Sequence, residues 1–205
     1  MVGPPTSANI VTVARRAVGV LRRRGILCYV VGSLASMLWG CSRDPNDIDL
    51  VILTTAYDAE EIKQMLVDSD GRFSLVDSRN PRNSYKVLWY EFPESTRFSE
   101  NIKVDILVPP TLNMPLLHAR NIVWMENLPV CPLLLLLHLR LQGWEHHTHA
   151  RRRDLVEKQF TDIVDIEELL AIVVELGATI EDAPGLNEPF RTAIRRRLRS
   201  FARMS

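Results

Sequence analysis

Two aspartates inside an apolar stretch, Asp47-Ile48-Asp49-Leu50-Val51, constrain the fold more than any other feature of the chain. A β-strand has a side-chain period of two, so Asp47 and Asp49 would project from one face and Ile48 and Leu50 from the other. Two adjacent carboxylates repel each other and resist burial, and the stretch holds no lysine or arginine. A divalent cation is the natural counter-charge, and oxygen ligands suit Mg²⁺ or Mn²⁺.

A third acid, Asp105, stands in a similar apolar setting, IKVDILV at 102–108. If this stretch is a strand that pairs with the Asp47 strand, three carboxylates converge. Such a site can hold two metal ions roughly 3.5–4 Å apart, the arrangement required for in-line phosphoryl chemistry. The alternative is that each aspartate is a strand-end cap or a solvated residue.

A Gly-Ser pair, Gly32-Ser33, stands at the end of the apolar run ILCYVVG, and thirteen residues separate it from Asp47. Gly32 lets the backbone approach a ligand closely. Ser33 would begin a helix, where free N–H groups and the helix dipole favour an anion. By itself a Gly-Ser pair at a strand–helix junction is usually a turn, but its place before the two aspartates indicates a phosphate-binding segment.

The hydrophobic pattern predicts a β-rich first half and a helical second half, with the boundary at Pro109-Pro110. Ser7 is the predicted N-cap of the first helix, Gly25 its stop, and Asp58 with Glu61 a capping box. The predicted helices span 7–24, 34–39, 58–67, 133–144, 154–176 and 188–204, and the predicted strands span 26–32, 47–53, 73–77, 85–92 and 102–108.

Bulk composition excludes several classes of protein. The chain has 205 residues, is 46% hydrophobic and 24% charged, and has a formal net charge of zero, so no global field steers it to a nucleic acid or a membrane. The longest apolar run, 130–141, contains a proline, a histidine and an arginine and falls short of the roughly 20 residues that span a bilayer. The first residues lack the apolar core of a signal peptide.

Three widely spaced cysteines, Cys28, Cys41 and Cys131, form neither a disulfide framework nor a zinc pattern. Free and buried thiols fit a reducing compartment. We therefore expect a cytoplasmic protein that does not associate with membranes.

The motifs between residues 28 and 108 together resemble the nucleotidyltransferase superfamily, the fold of DNA polymerase beta. The family pattern is a Gly-Ser or Gly-Gly pair, then a D-x-D strand, and later a third acid on a neighbouring strand. The resemblance implies an α/β (α+β) fold, in which a mixed β-sheet flanked by helices is followed by a C-terminal helical region. It also implies two domains, a nucleotidyltransferase core at 1–110 and a helical region at 111–205 packed on it.

The same resemblance assigns roles to residues. Asp47 and Asp49 would hold the metals that bind a nucleoside triphosphate such as ATP. Asp105 would bind the catalytic metal and help deprotonate an acceptor hydroxyl, while Gly32 and Ser33 would hold the β- and γ-phosphates. Relatives often carry a polar lead-in to the acids, and the matching positions here are Arg43 and Asn46. The resemblance implies that Arg43 helps to bind the nucleoside triphosphate.

A second, looser resemblance concerns the helical part of small stand-alone nucleotidyltransferases. In these a basic residue and a K/R…D..D segment follow the core, and the matching positions are Arg140, Lys158, Asp162 and Asp165. It implies that Lys158 reaches the triphosphate. Periodicity alone would instead make Asp162 and Asp165 ordinary residues of a polar helix face.

Two further clusters admit a functional and an ordinary interpretation. The segment 145–153 contains His146, His147 and His149, which resemble a metal cluster, but no cysteine or acid lies beside them at zinc spacing, so we favour a solvated polar linker. The arginines of the first and last helices and of 151–153 could form a basic face for a tRNA or another polyanion. Because the net charge is zero, we favour solvated helix faces.

These features predict a metal-dependent nucleotidyltransferase that moves a nucleoside monophosphate from a nucleoside triphosphate to an acceptor hydroxyl. The acceptor stays open among a small molecule such as an aminoglycoside-like compound, a protein and an RNA end, as do the nucleobase and the oligomeric state. The alternative is a non-catalytic, antitoxin-like binding or regulatory protein. A phosphotransferase that moves the γ-phosphate would need loop motifs that the sequence lacks.

Overall fold

The structure is a computed structural model that describes residues 5–80, 83–92, 101–109, 114–115, 117–181, 183 and 185–204. Contacts divide the chain into two compact units. The first unit consists of Met1–Leu34 and Asp44–Val130, and the second of Ala35–Arg43 and Cys131–Ser205.

The first unit is built on a mixed sheet in which seven of the described strands pair. These are β1 (Cys28–Val31), β2 (Asp47–Ile52), β3 (Phe73–Asp77), β4 (Lys86–Tyr90), β5 (Ile102–Leu107), β6 (Val123–Met125) and β7 (Leu128–Val130). Their order is β3-β4-β5-β2-β1-β7-β6. The β1–β7 and β2–β5 pairs are parallel and the others antiparallel.

Two helices of the first unit, α1 (Ser7–Arg23) and α3 (Ala59–Ser69), pack on this sheet. The predicted capping box is confirmed: the Glu61 amide donates to Asp58 and the Asp58 amide donates to Glu61, both at 2.8 Å. At α1 the N-cap is Thr6 rather than Ser7, because the Thr6 hydroxyl accepts from the Asn9 amide. The apolar stripe of α1 is buried, as its period predicts.

The short helix after β1, α2 (Gly32–Trp39), begins two residues before the predicted Leu34. Gly32 has a φ of +68°, so the chain turns from strand to helix at that single residue. Ser33 consequently lies inside the first turn.

The strands β6 and β7 were not foreseen from the sequence, and they extend the first unit to Val130, past the predicted boundary at residue 110. A two-residue turn joins them, with positive φ at Glu126 (48°) and Asn127 (62°). Two positive φ values match a type I′ hairpin, whose twist suits flanking strands. Strands of three residues are too short to show the alternation of apolar and polar residues, so the hydrophobic pattern did not predict them.

The second unit is helical, consisting of the end of α2 with α4 (Leu133–Thr148), α5 (Arg153–Glu175) and α6 (Glu188–Phe201). The leucine run of α4 is buried and α4 packs against both α5 and α6. Trp144 meets Phe201 edge to face at 5.1 Å between ring centroids. α4 extends four residues beyond the predicted end, so the first part of the predicted polar linker is helical.

The expected fold class is confirmed: a mixed sheet with flanking helices precedes a helical region. All three cysteines are free and buried, as predicted, and burial raises the pKa of Cys28 to about 12. Among the described helices, none combines the length and the apolar character that crossing a membrane requires.

Candidate active site

The two aspartates of β2 lie as the strand period predicts. Asp47 and Asp49 are half-buried on one face, whereas Ile48 and Leu50 are fully buried. The apolar residues anchor the strand in the core, and this anchoring aims both carboxylates in the same direction.

The parallel pairing of β2 with β5 brings the third acid to the same place. Asp49 is the register partner of Asp105, and Asp47 is the register partner of Lys103. Register partners on neighbouring strands point to the same side of a sheet. We call the surface formed by Asp47, Asp49, Lys103 and Asp105 the carboxylate face. The strand pairing that the three-acid hypothesis requires is therefore present.

Lys103 is the residue of this face that sequence reasoning missed. Its Nζ lies 2.5 Å from Oδ2 of Asp105. Burial alone would lower the pKa of Lys103, but the hydrogen bond to Asp105 and the negative charges of Asp105, Asp47 and Asp49 raise it. The signal was in the sequence: Lys103 stands two residues before Asp105 and so shares its face of the strand.

The carboxylates fit a divalent cation, but they are not arranged as a finished metal site. In the part of the chain that the structure describes, no three or more histidine, cysteine, aspartate or glutamate side chains are grouped to hold a metal ion. The donors present are hard carboxylate oxygens, which suit Mg²⁺ or Mn²⁺. Asp47 and Asp49 could hold a cation together, whereas Oδ2 of Asp105 could join them only after releasing the Lys103 ammonium.

Gly32 sits directly against the carboxylate face. A Cβ atom added to it would lie 2.0 Å from Oδ2 of Asp49, and its φ of +68° disfavours any side chain. The next residue, Ser33, is buried, and its hydroxyl donates to Oδ1 of Asp47 at the long distance of 3.4 Å. The predicted phosphate-binding pair and the predicted metal ligands are thus neighbours in the fold.

A cleft with a volume of about 1060 Å³ opens beside the Lys103–Asp105 pair. The start of α3 and the strands β4 and β5 line it, and two partly exposed tyrosines, Tyr57 and Tyr85, flank it. The Lys63 ammonium lies 5.6 Å from the centroid of the Tyr85 ring. The cleft is large enough to admit a small organic molecule next to Asp105.

Two predicted triphosphate ligands, Arg43 and Lys158, belong to the second unit. Arg43 donates two hydrogen bonds to Asp165, from Nε to Oδ1 at 2.8 Å and from Nη2 to Oδ2 at 2.5 Å. Arg140 adds a second guanidinium 3.3 Å from the same carboxylate. Lys158 is exposed on α5 without an ion pair to any described residue. Their roles at a triphosphate stay predictions.

Two aspartates of α5, Asp162 and Asp165, are not ordinary polar-face residues. Asp165 is 1% exposed and Asp162 is 7% exposed. Oδ2 of Asp162 lies 2.5 Å from Nδ1 of His147, which is hydrogen-bonding distance. His147 is therefore part of a packed contact of the second unit rather than of a solvated linker, and within the described residues it joins no metal cluster.

The fold resembles solved structures of nucleotidyltransferase type. No family model matches the chain, and no curated protein is significantly similar to it in sequence. An antigenic nucleotidyltransferase-like protein from Paracoccidioides brasiliensis aligns with a TM-score of 0.69 at 16% identity, over 98% of this chain and 91% of that one.

The antibiotic-resistance factor ANT(2'')-Ia also aligns, in two structures. Its solution structure gives a TM-score of 0.51 at 13% identity, over 95% of both chains. Its crystal structure in complex with adenylyl-2''-tobramycin gives 0.50 at 16% identity, over 92% of this chain and 98% of that one. Similarity at this level of identity shows a shared fold. The chain therefore has a nucleotidyltransferase-like fold.

Proposed function

We propose that this protein is a metal-dependent nucleotidyltransferase that transfers a nucleoside monophosphate from a nucleoside triphosphate to an acceptor hydroxyl. The observation that carries the proposal is the β2–β5 register, which puts Asp105 opposite Asp49 on the face that also bears Asp47. A nucleotidyltransferase-like fold with three carboxylates on one face and a Gly-Ser turn against them supports this chemistry better than a structural role.

The chain's own residues would bind and orient the triphosphate. The turn at Gly32 brings backbone close to Asp49 without a side chain in the way. The start of α2 offers amides to the β- and γ-phosphates. Asp47 and Asp49 would hold a divalent cation, which neutralises phosphate charge and polarises the α-phosphate when bound. Catalysis would come from positioning and electrostatics rather than from a protein nucleophile.

Asp105 would act at the acceptor. Its carboxylate faces the cleft between α3 and β4–β5, so an acceptor hydroxyl placed there could give its proton to Asp105. The oxygen would attack the α-phosphorus, and pyrophosphate would leave with the electrons of the broken P–O bond. Lys103 holds the Asp105 carboxylate at the mouth of the cleft before substrates bind.

Two observations bear on the chemical class of the acceptor. The ANT(2'')-Ia structure contains an adenylylated aminoglycoside, and the cleft beside Asp105 has room for a molecule of moderate size. We therefore rank small hydroxylated molecules first, ahead of protein hydroxyls and RNA ends.

The test is transfer of label from each α-phosphate-labelled triphosphate in the presence of Mg²⁺. Acceptors are supplied as three fractions of cell extract: small molecules, protein and RNA. We expect label in one fraction, lost with a chelator and in Asp47→Asn or Asp49→Asn. The matched control is Asp77→Asn, which changes an exposed aspartate at the end of β3. Absence of metal-dependent transfer to every fraction would refute the enzymatic proposal.

One observation favours a second candidate, a non-catalytic protein that binds nucleotide or a partner. The ammonium of Lys103 already neutralises the Asp105 carboxylate. An active site would need that carboxylate for the second metal ion. In this case nucleotide binding would be metal-dependent and transfer absent, and replacing Lys103 with methionine would not create transfer. Transfer by the parent chain would exclude this candidate.

A further inference from the structure

Arginine dominates the second half of the exposed face of α1, whereas the first half exposes Ala8, Asn9 and Thr12. The helix carries Arg15, Arg16, Arg22 and Arg23 and no acidic residue. These arginines are exposed, whereas the opposite face of the helix is buried. Gly19 lies between the two arginine pairs, and the Arg23 guanidinium reaches back to it, with Nη1 3.6 Å from where a Cβ on Gly19 would lie.

This face forms one wall of a groove of about 660 Å³ within the first unit, which we call the arginine groove. The other wall contains Ser69 at the end of α3 and, in the turn before β3, Asp70 and Arg72. Four arginines therefore line the groove against one carboxylate. It shares no residue with the carboxylate face or with the cleft beside Asp105.

The arginines of the groove are weakly neutralised. Arg15 donates from Nε to the Glu126 carbonyl at 2.8 Å and pairs with the Glu126 carboxylate at 3.2 Å, but both side chains are well exposed. Arg16 reaches Asp70 only at 3.6 Å. Arg23 has no hydrogen-bond or ion-pair partner among the described residues. Exposed ion pairs contribute little and exchange readily for other partners. Four guanidiniums against the carboxylates of Asp70 and Glu126 leave a net positive charge at the groove, which an anion would offset.

The geometry indicates a chain of phosphates rather than one. Arg16 and Arg23 are seven residues apart, which is about 10 Å along a helix. A duplex carries one charge per strand for about every 3.4 Å of its axis, so arginines spread over this length would meet more than one phosphate of a duplex that lies along the helix. Guanidinium groups bind phosphate oxygens through two hydrogen bonds. The Arg23 guanidinium, which lies over Gly19, is placed to donate to a phosphate between the arginine pairs.

The lining also discriminates between kinds of nucleic acid. Proteins that hold single strands provide aromatic side chains on which bases stack. No aromatic residue is among the described residues that line the groove. We propose that the arginine groove binds the phosphodiester backbone of base-paired nucleic acid without reading its sequence. The chemistry is common to duplex RNA and duplex DNA, and it is independent of the nucleotidyltransferase reaction.

The test is fluorescence anisotropy with a labelled RNA duplex, a DNA duplex and a single strand of equal length, over a series of salt concentrations. We expect duplex binding that weakens steeply with salt. In Arg16→Gln and Arg23→Gln, binding should be roughly fivefold to tenfold weaker at 0.1 M salt, with a salt slope reduced by about one per arginine. The matched control is Arg120→Gln, an exposed arginine of the first unit outside the groove.

The other possible results of the binding experiment also support or overturn the proposal. Tighter binding of one duplex identifies RNA or DNA as the source and supports the proposal. Absence of duplex binding, stronger binding of the single strand, or equal effects of Arg23→Gln and Arg120→Gln would overturn it. So would tighter, Arg23-dependent binding to vesicles of phosphatidylserine than to either duplex, since the ligand would then be a lipid surface. Thermal melts that match the parent establish that the variants are folded.

Discussion

Replacement of Gly32 with alanine tests the link between the Gly-Ser turn and the carboxylate face. Two separate penalties arise. The first is conformational, because alanine would have to adopt a φ of +68°. The second is steric, because its Cβ would lie 2.0 Å from Oδ2 and 3.0 Å from Cγ of Asp49. The carboxylate would have to move, and it is one of the two proposed metal ligands on β2.

The conformational penalty can be measured by itself at a second glycine. Gly25 has a φ of +74°, and a Cβ added there would meet no atom within 4 Å. Gly25→Ala should therefore show only the left-handed penalty, about 1–2 kcal/mol, or a melting temperature lower by about 2–8 °C. Gly32→Ala should be less stable than Gly25→Ala, and the difference reports the displacement of Asp49.

A double-mutant cycle isolates the contact. In Asp49→Ala the atoms at 2.0 and 3.0 Å are gone and only Cβ at 3.4 Å remains, an ordinary contact. In that background Gly32→Ala should cost no more than Gly25→Ala does. The assays are urea unfolding for stability and Mn²⁺-dependent nucleotide binding for function, which Gly25→Ala should leave intact and Gly32→Ala should lose.

The reasoning would be refuted by equal stabilities of Gly25→Ala and Gly32→Ala together with undiminished nucleotide binding by Gly32→Ala. That result would mean that Asp49 moves freely and that the turn does not position the phosphates. Additive effects of Gly32→Ala and Asp49→Ala would also contradict the contact.

Three further predictions concern charged groups. Lys103→Met should strengthen Mn²⁺ binding severalfold, measured by calorimetry, because the third carboxylate is released. Burial and the charge of Arg197 lower the pKa of His138 to about 4, so the free energy of unfolding should fall as pH drops from about 6.5 to 4, a slope that His138→Gln should reduce. Asp165→Ala should destabilise the chain by about 3–5 kcal/mol in urea unfolding, because two guanidiniums lose their buried partner.

Each of these has a result that contradicts it. Unchanged or weaker Mn²⁺ binding by Lys103→Met would mean that the lysine does not compete with the cation. An unfolding free energy that is flat between pH 6.5 and 4, or one with the same slope in the parent and in His138→Gln, would mean that His138 is not held neutral by the fold. A loss well under 1 kcal/mol in Asp165→Ala would mean that the ion cluster is replaced by water.

The strands and helices that the sequence predicted well are those with a local signal. The aspartates of β2 alternate with residues that are fully buried, and the capping box at Asp58 fixes the start of α3 within a few residues. Both signals act over short chain distances, so no knowledge of the tertiary structure is needed. The pair β6–β7 carries no such signal, because each strand is shorter than the window in which a period can be seen.

The residues that were missed or misread depend on contacts that are remote in sequence. The strand period puts Lys103 on the face of Asp105, but the register between β2 and β5, which the sequence does not show, is what brings it to Asp47 and Asp49. Asp165 can be buried because it pairs with Arg43 and Arg140. Arg43 lies 122 residues before it, and Arg140 lies on another helix. Periodicity put Asp165 on a polar face because it takes no account of such partners.

A crystal structure with Mn²⁺ and a triphosphate that cannot be cleaved between its α- and β-phosphates tests the central claim most directly. The account predicts an anomalous manganese peak held by Asp47 and Asp49, with the β- and γ-phosphates on the amides that follow Gly32. It also predicts that Lys103 leaves Asp105 if a second peak is present. Manganese and triphosphate bound away from Asp47 and Asp49 would contradict the account.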